Sequence, residues 1–207
     1  MFLSLLAFLL LPLPAITIYF TTGSLFWMGF DEYSLASVLG ISAFVWFAAQ
    51  LFLAAKPFGL DKILGVKNLL RLHGTGAIIA LAAAESLWYL KIVVQQNELS
   101  LQTLPGFLAM NIFLLGILGA ILFMGNHFPA PGKALKGLRD WLKKNWGWTY
   151  KGLRAMHSLM VVAVVLMGIH VLMAFSTQQS LATVIYMATW LGLSLAFYIR
   201  YRIKNRQ

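Results

Sequence analysis

The sequence predicts an all-α protein, a polytopic membrane bundle of six helices with both termini on the cytoplasmic side. Three observations carry that prediction. The 207-residue chain is 60% hydrophobic and only 11% charged, a balance far from that of a soluble domain. Apolar runs of spanning length recur six times, at 2–20, 35–55, 70–93, 106–126, 154–175 and 181–200. Fifteen of the sixteen Lys and Arg residues fall on one side of those runs, with Lys91 the exception. By the positive-inside rule that side is cytoplasmic.

The first run is apolar from Phe2 onward. It lacks the basic lead-in and small-x-small cleavage site of a signal peptide and is long enough to span, so it reads as a helix interrupted near Pro12 and Pro14. The second run closes on the turn signal Lys56-Pro57-Phe58-Gly59. Lys62, Lys67 and Arg71 lead into the third, which ends at Gln95-Gln96-Asn97. The fourth ends at His127 and Pro129-Ala130-Pro131-Gly132. The stretch 132–150 is too polar to span, but Leu135, Leu138, Trp141 and Leu142 recur near helical spacing with lysines between them. It reads as a helix on the cytoplasmic interface. The fifth run leads to Ser176-Thr177-Gln178-Gln179, and Arg200, Arg202, Lys204 and Arg206 follow the sixth. No repeat and no soluble domain interrupts this order, so residues 1–207 are expected to form one transmembrane domain.

Composition also excludes chemistry. A net charge of +10 suggests nucleic acid at first sight, but the basic residues sit in short segments between apolar runs, the pattern of membrane topology. There is no cysteine. Disulfides, thiolate catalysis, cysteine-ligated clusters and covalent haem attachment are therefore ruled out.

The residues that suggest a function are imidazoles inside apolar spans. His157 and His170 lie in the uncharged run from Met156 to Phe175. Polar groups in a bilayer span are costly and usually face a bundle interior, a partner or a cofactor. Thirteen residues of helix cover about 20 Å, so the two rings sit near opposite membrane faces. His73 opens the third span as His157 opens the fifth, and both spans run outward, so the two share a cytoplasmic depth. A histidine pair at equal depth on two helices is able to ligate one b-type haem iron from both sides. Gly74 and Gly76 would remove bulk where a porphyrin face approaches, and Arg71 and Arg154 are placed to meet its propionates. The bland alternatives are hydrogen-bonded structural imidazoles and arginines that only anchor topology.

At the outer level His170 should face another helix, yet the third span offers Glu85, Ser86, Leu87 and Trp88 there, with no imidazole. Thirteen residues also leave His157 and His170 on different helix faces unless the helix tilts or kinks. Glu85 reads as a proton relay, a hydrogen-bond partner for His170 or a structural acid. Met110 and Met187, estimated at the same level, are thioether candidates or core filler. His127 is expected at the cytoplasmic interface.

Gly59-Leu60-Asp61-Lys62 through Leu70-Arg71-Leu72-His73-Gly74 resembles the third helix of the ferric-reductase-like transmembrane superfamily. That group includes NADPH oxidases, ferric reductases and the haem-binding subunit of a methionine sulfoxide reductase system. Trp148-Thr149-Tyr150-Lys151-Gly152-Leu153-Arg154-Ala155-Met156-His157, with His170 following, is similar to its fifth helix. The resemblance implies two stacked b haems, each held by one histidine of the third helix and one of the fifth. His73 and His157 match the cytoplasmic pair and His170 the outer ligand of the fifth helix, while Ser86 or Leu87 replaces the second histidine of the third. One b haem is therefore expected, and a second is left open at the His170 level. The flavin and nicotinamide domain that many members carry does not follow in this chain, so flavin belongs on a separate partner.

The expected function is transmembrane electron transfer from a cytoplasmic flavoprotein or ferredoxin-like donor to an acceptor at the membrane, such as a quinone, or at the outer face. The expected setting is the lipid bilayer of a bacterial cytoplasmic membrane, with no nucleic-acid partner. Two rivals stand beside it. One is a non-redox transporter or assembly factor whose histidines and Glu85 line a proton or metal path. The other is a pigment-binding structural subunit whose histidines ligate a chlorin.

Overall fold

A computed structural model describes residues 2–22, 31–94, 100–124, 132–147 and 149–204. Among them there is no strand, and six helical segments are long and apolar enough to cross a membrane: Phe2–Thr22, Glu32–Ala55, Val66–Ile92, Leu104–Leu122, Ala155–Met173 and Leu181–Lys204. These coincide with the six runs read from the sequence. The protein is an all-helical integral membrane bundle.

The first segment divides at its prolines into α1 (Phe2–Leu10) and α2 (Leu13–Thr22). Pro12 has no N–H to return to the carbonyl four residues back, which is that of Phe8. The indole of Trp46 donates to that carbonyl at 3.0 Å, and its ring stacks over Phe8. The same carbonyl also accepts from the Leu11 N–H at 3.2 Å, so a tightened turn and a neighbouring helix together replace the lost bond.

α3 (Glu32–Ala55) is the hub, in contact with α2, α5 (Val66–Tyr89), α9 (Met160–Met173) and α11 (Leu181–Lys204). After Glu32 it carries no charge, and even its polar residues Ser34, Ser37, Ser42 and Gln50 are buried, so it belongs in the middle of the bundle. Small residues such as Ala36, Ala43, Ala48 and Ala49 allow close approach, as membrane packing favours. Asp31 caps its start: the Ser34 backbone N–H donates to the carboxylate at 2.7 Å and holds it below its usual pKa. Its end is a tight reversal in which Lys56, Phe58 and Gly59 all take positive φ, followed by the short α4 (Leu60–Leu64). Phe58 keeps that disfavoured conformation beside Phe197, with ring centroids 5.3 Å apart.

α5 ends in a π-helical turn, Leu90–Val94. α6 (Leu104–Met124) packs mainly on α9, and its Phe113 stacks on Phe47 of α3 at 3.6 Å in the core. The helix expected at the interface, α7, runs Gly132–Trp146, a few residues shorter than its expected span. Gly147 takes φ 63° and closes it, and Thr149 then caps α8 (Tyr150–Ser158), accepting from the Gly152 N–H at 3.1 Å. Leu142 is buried, whereas Lys136, Lys143 and Lys144 are exposed. α8 continues into α9 through a tightened turn at Leu159, two residues beyond His157. The four-residue α10 (Phe175–Gln178) and α11 complete the fold. His127 lies outside the described residues, as does the side chain of Arg154.

Candidate functional site

α5 and α8 bring His73 and His157 together. Their rings lie with centroids 6.1 Å apart and planes 77° to one another. An iron between two imidazole nitrogens, each bonded at about 2 Å, sets ring centroids about 6 Å apart. The depth argument made from charge and spacing is thus met by actual proximity between side chains 84 residues apart in sequence.

Each ring has an outer nitrogen with its own environment. The Nδ1 of His157 is buried with no hydrogen-bond partner among the described residues. The Nδ1 of His73 lies against Gln50, a buried amide in the otherwise apolar second half of α3. In the orientation that satisfies the amide, its nitrogen donates to His73 Nδ1 and to the His73 carbonyl, both at 2.9 Å. Its oxygen accepts from the Ala77 N–H at 3.3 Å. Gln50 was missed in the sequence, although a lone carboxamide inside an apolar span is the kind of residue that membrane energetics flags.

The two glycines beside His73 divide in role. A Cβ on Gly74 would meet nothing within 4 Å, so space is open there. A Cβ on Gly76 would lie 2.7 Å from both the Gln50 amide and the Phe8 ring. Gly76 therefore serves the close packing of α5 on α1 and α3. Arg71 is exposed two residues before His73.

The outer level is built differently. His170 points its Nδ1 at the Gln102 carbonyl, 3.0 Å away, and the Gln102 amide in turn donates to the Met173 carbonyl. The ring lies against α6 at Gly106, where a Cβ would come within 2.7 Å of it. A cavity of about 270 Å³ opens beside it between α3, α5, α6 and α9, lined among others by Ser37, Trp88, Lys91, Met110 and His170. No second imidazole joins His170 among the described residues. Glu85 is not its partner: one carboxylate oxygen of Glu85 is buried without a hydrogen bond, and the residue does not line the cavity. Met110 does line it, whereas Met187 is wholly buried in the core.

Among the described residues no three or more His, Asp or Glu side chains cluster as a metal site. A bare zinc-type ion needs three or four protein ligands. Two neighbouring imidazoles are the donor type that a macrocycle-held iron takes, so His73 and His157 are the residues that would hold a haem. Among the described residues His170 has no second imidazole beside it, unlike the His73–His157 pair. Comparisons with protein-family models, curated proteins and solved structures find no match.

Proposed function

We propose that this chain is the haem-binding membrane subunit of a reductase system, carrying electrons from a cytoplasmic donor toward an acceptor at the membrane or its outer face. The observation that supports this most is the His73–His157 pair, two imidazoles 6.1 Å apart on helices that begin among basic residues. A bound b-type haem would supply a one-electron iron couple, which no side chain of a cysteine-free chain offers. His73 and His157 would hold its iron from opposite sides. The open space at Gly74 leaves room beside the pair, and Arg71 is exposed close enough in sequence to meet a propionate.

In this reading both termini and the interfacial α7 face the cytoplasm, in a bacterial cytoplasmic membrane, and the chain joins the ferric-reductase-like proteins it resembles. Flavin resides on the donor, a flavoprotein or ferredoxin-like protein. The acceptor is a membrane quinone or an outer-face partner. The test is spectroscopic. Purified protein should give a dithionite-reduced b-type spectrum with low-spin iron, and a pyridine haemochrome should count about one haem per chain, as one bis-imidazole pair requires. His73→Ala and His157→Ala should each abolish or convert the low-spin signal. Both variants retaining wild-type haem content and an unchanged spectrum would falsify the assignment.

A further inference from the structure

We propose that Gln50 is the positioning residue for His73, its amide turning over when iron is bound so that its oxygen accepts the imidazole Nδ1–H. This rests on the haem reading and deepens it. Gln50 is buried in α3 and reaches the His73 ring at Nδ1, so it acts through the ring.

The argument is one of donors and acceptors. In the favoured orientation the Gln50 nitrogen donates to His73 Nδ1 and to the His73 carbonyl. An Nδ1 that accepts a hydrogen bond has no proton, so the neutral ring carries its proton on Nε2. That is the wrong tautomer for a ligand, because Nε2 must offer its lone pair to the metal. With Nε2 holding iron, the ring would carry its proton on Nδ1, and a donor amide would then oppose a donor ring. The conflict is removed by a half-turn of the carboxamide, which presents Oε1 to Nδ1–H. The turn has a penalty, since the amide oxygen then faces the His73 carbonyl and the amide nitrogen faces the Ala77 N–H. Gln50 thus satisfies all three contacts when the site is empty, and in the turned orientation it gains the Nδ1–H bond at the expense of the other two. A metal-bound histidine commonly gives its remaining N–H to such a partner, which orients the ring and raises its basicity, and losing that partner weakens metal affinity about 10–100-fold. His157 has no comparable partner, so the two axial ligands are predicted to be unequal.

The experiment uses the full chain in detergent, depleted of haem and titrated with haemin. In the wild type, ¹⁵N-edited NMR of labelled histidine should find the His73 proton on Nε2 before haemin and on Nδ1 after it. Gln50→Leu should keep a folded, monodisperse protein, weaken haemin binding about 10–100-fold and raise the midpoint potential, because the ring loses its acceptor. Gln50→Glu, a fixed acceptor, should retain the low-spin spectrum and lower the potential. Opposite displacements in the two variants are not what a purely space-filling role produces. Potentials that stay at the wild-type value, or move the same way in both, overturn the role of Gln50 while leaving the haem reading intact. If Gln50→Leu does not fold, the Gln50→Glu potential and the wild-type tautomer change still decide. A wild-type chain that takes up no haemin overturns the haem reading and this proposal with it.

Discussion

The levels of the bundle at which His157 and His170 lie belong to the same membrane span, yet they are different environments. At the basic end of the bundle His157 lies beside a second imidazole, with ring centroids 6.1 Å apart, and the Nδ1 of that partner rests on a carboxamide able to donate or accept. At the outer level His170 is pressed on Gly106, its Nδ1 committed to a backbone carbonyl that can only accept. Thirteen residues of helix advance about 1300°, which leaves the two rings about 140° apart around the axis. His157 consequently faces α5 and His170 faces α6. A histidine inside a membrane span does not define a site by itself; the helix it turns toward does.

The contrast is broken or sharpened most strongly by removing one imidazole at a time. His73→Ala removes half of the facing pair, and the low-spin spectrum should disappear. His170→Ala should leave that spectrum and a count of one haem per chain unchanged, since the pair has no contact with the outer ring. The opposite result is equally readable. Loss of a second, high-spin haem that binds carbon monoxide in His170→Ala would make the outer level a five-coordinate site and erase the distinction.

The legible part of the molecule is the part written in periodicity and charge. Six spans, the break at Pro12, a helix between the fourth and fifth spans and the proximity of His73 to His157 all follow from apolar run length, basic flanks and depth. The orientation of side chains around each axis was less legible, because a membrane helix that is apolar on every face carries no amphipathic stripe to aim it. That is why Gly76 was read as room for a porphyrin when it is room for Phe8, and why Glu85 was offered to His170 when Gln102 supplies the bond. Gln50 and Gly106 escaped for a related reason. Their roles lie in contacts between helices distant in sequence, to which neither spacing nor hydropathy refers.

A second effect separates the two levels by charge. Four basic residues border the Pro57 reversal and seven border the α7 joint, eleven in all, while only Lys91 lies at the outer end. An acidic donor should therefore engage the His73–His157 level. Complementary charge speeds encounter by roughly 10–1000-fold and is screened by salt over about 8–10 Å. Replacing Lys133, Lys136, Lys143 and Lys144 by glutamate should slow haem reduction by the donor at low ionic strength, with dithionite reduction unaffected. Stopped-flow rates indifferent to both salt and charge reversal would move electron entry away from this face and favour a membrane quinol as the source.

The smallest effects come from one added methyl group at each level. Gly106→Ala sets a Cβ 2.7 Å from a ring that its bond to Gln102 prevents from swinging away. Overpacking of this kind costs about 1–3 kcal/mol, and thermal or denaturant unfolding in detergent should register it. Gly106→Ala combined with His170→Ala should recover most of that loss, because the two changes act on one contact. Gly74→Ala should do the reverse. Its Cβ enters open space in the protein alone, and exchanging helical glycine for alanine gains about 0.5–1 kcal/mol. If a porphyrin face occupies that space when haem is bound, the same methyl group should weaken haemin affinity while the empty protein becomes more stable. A variant that gains stability and keeps wild-type haemin affinity would remove Gly74 from the cofactor-binding set, leaving the room beside His73 as a feature of helix spacing alone.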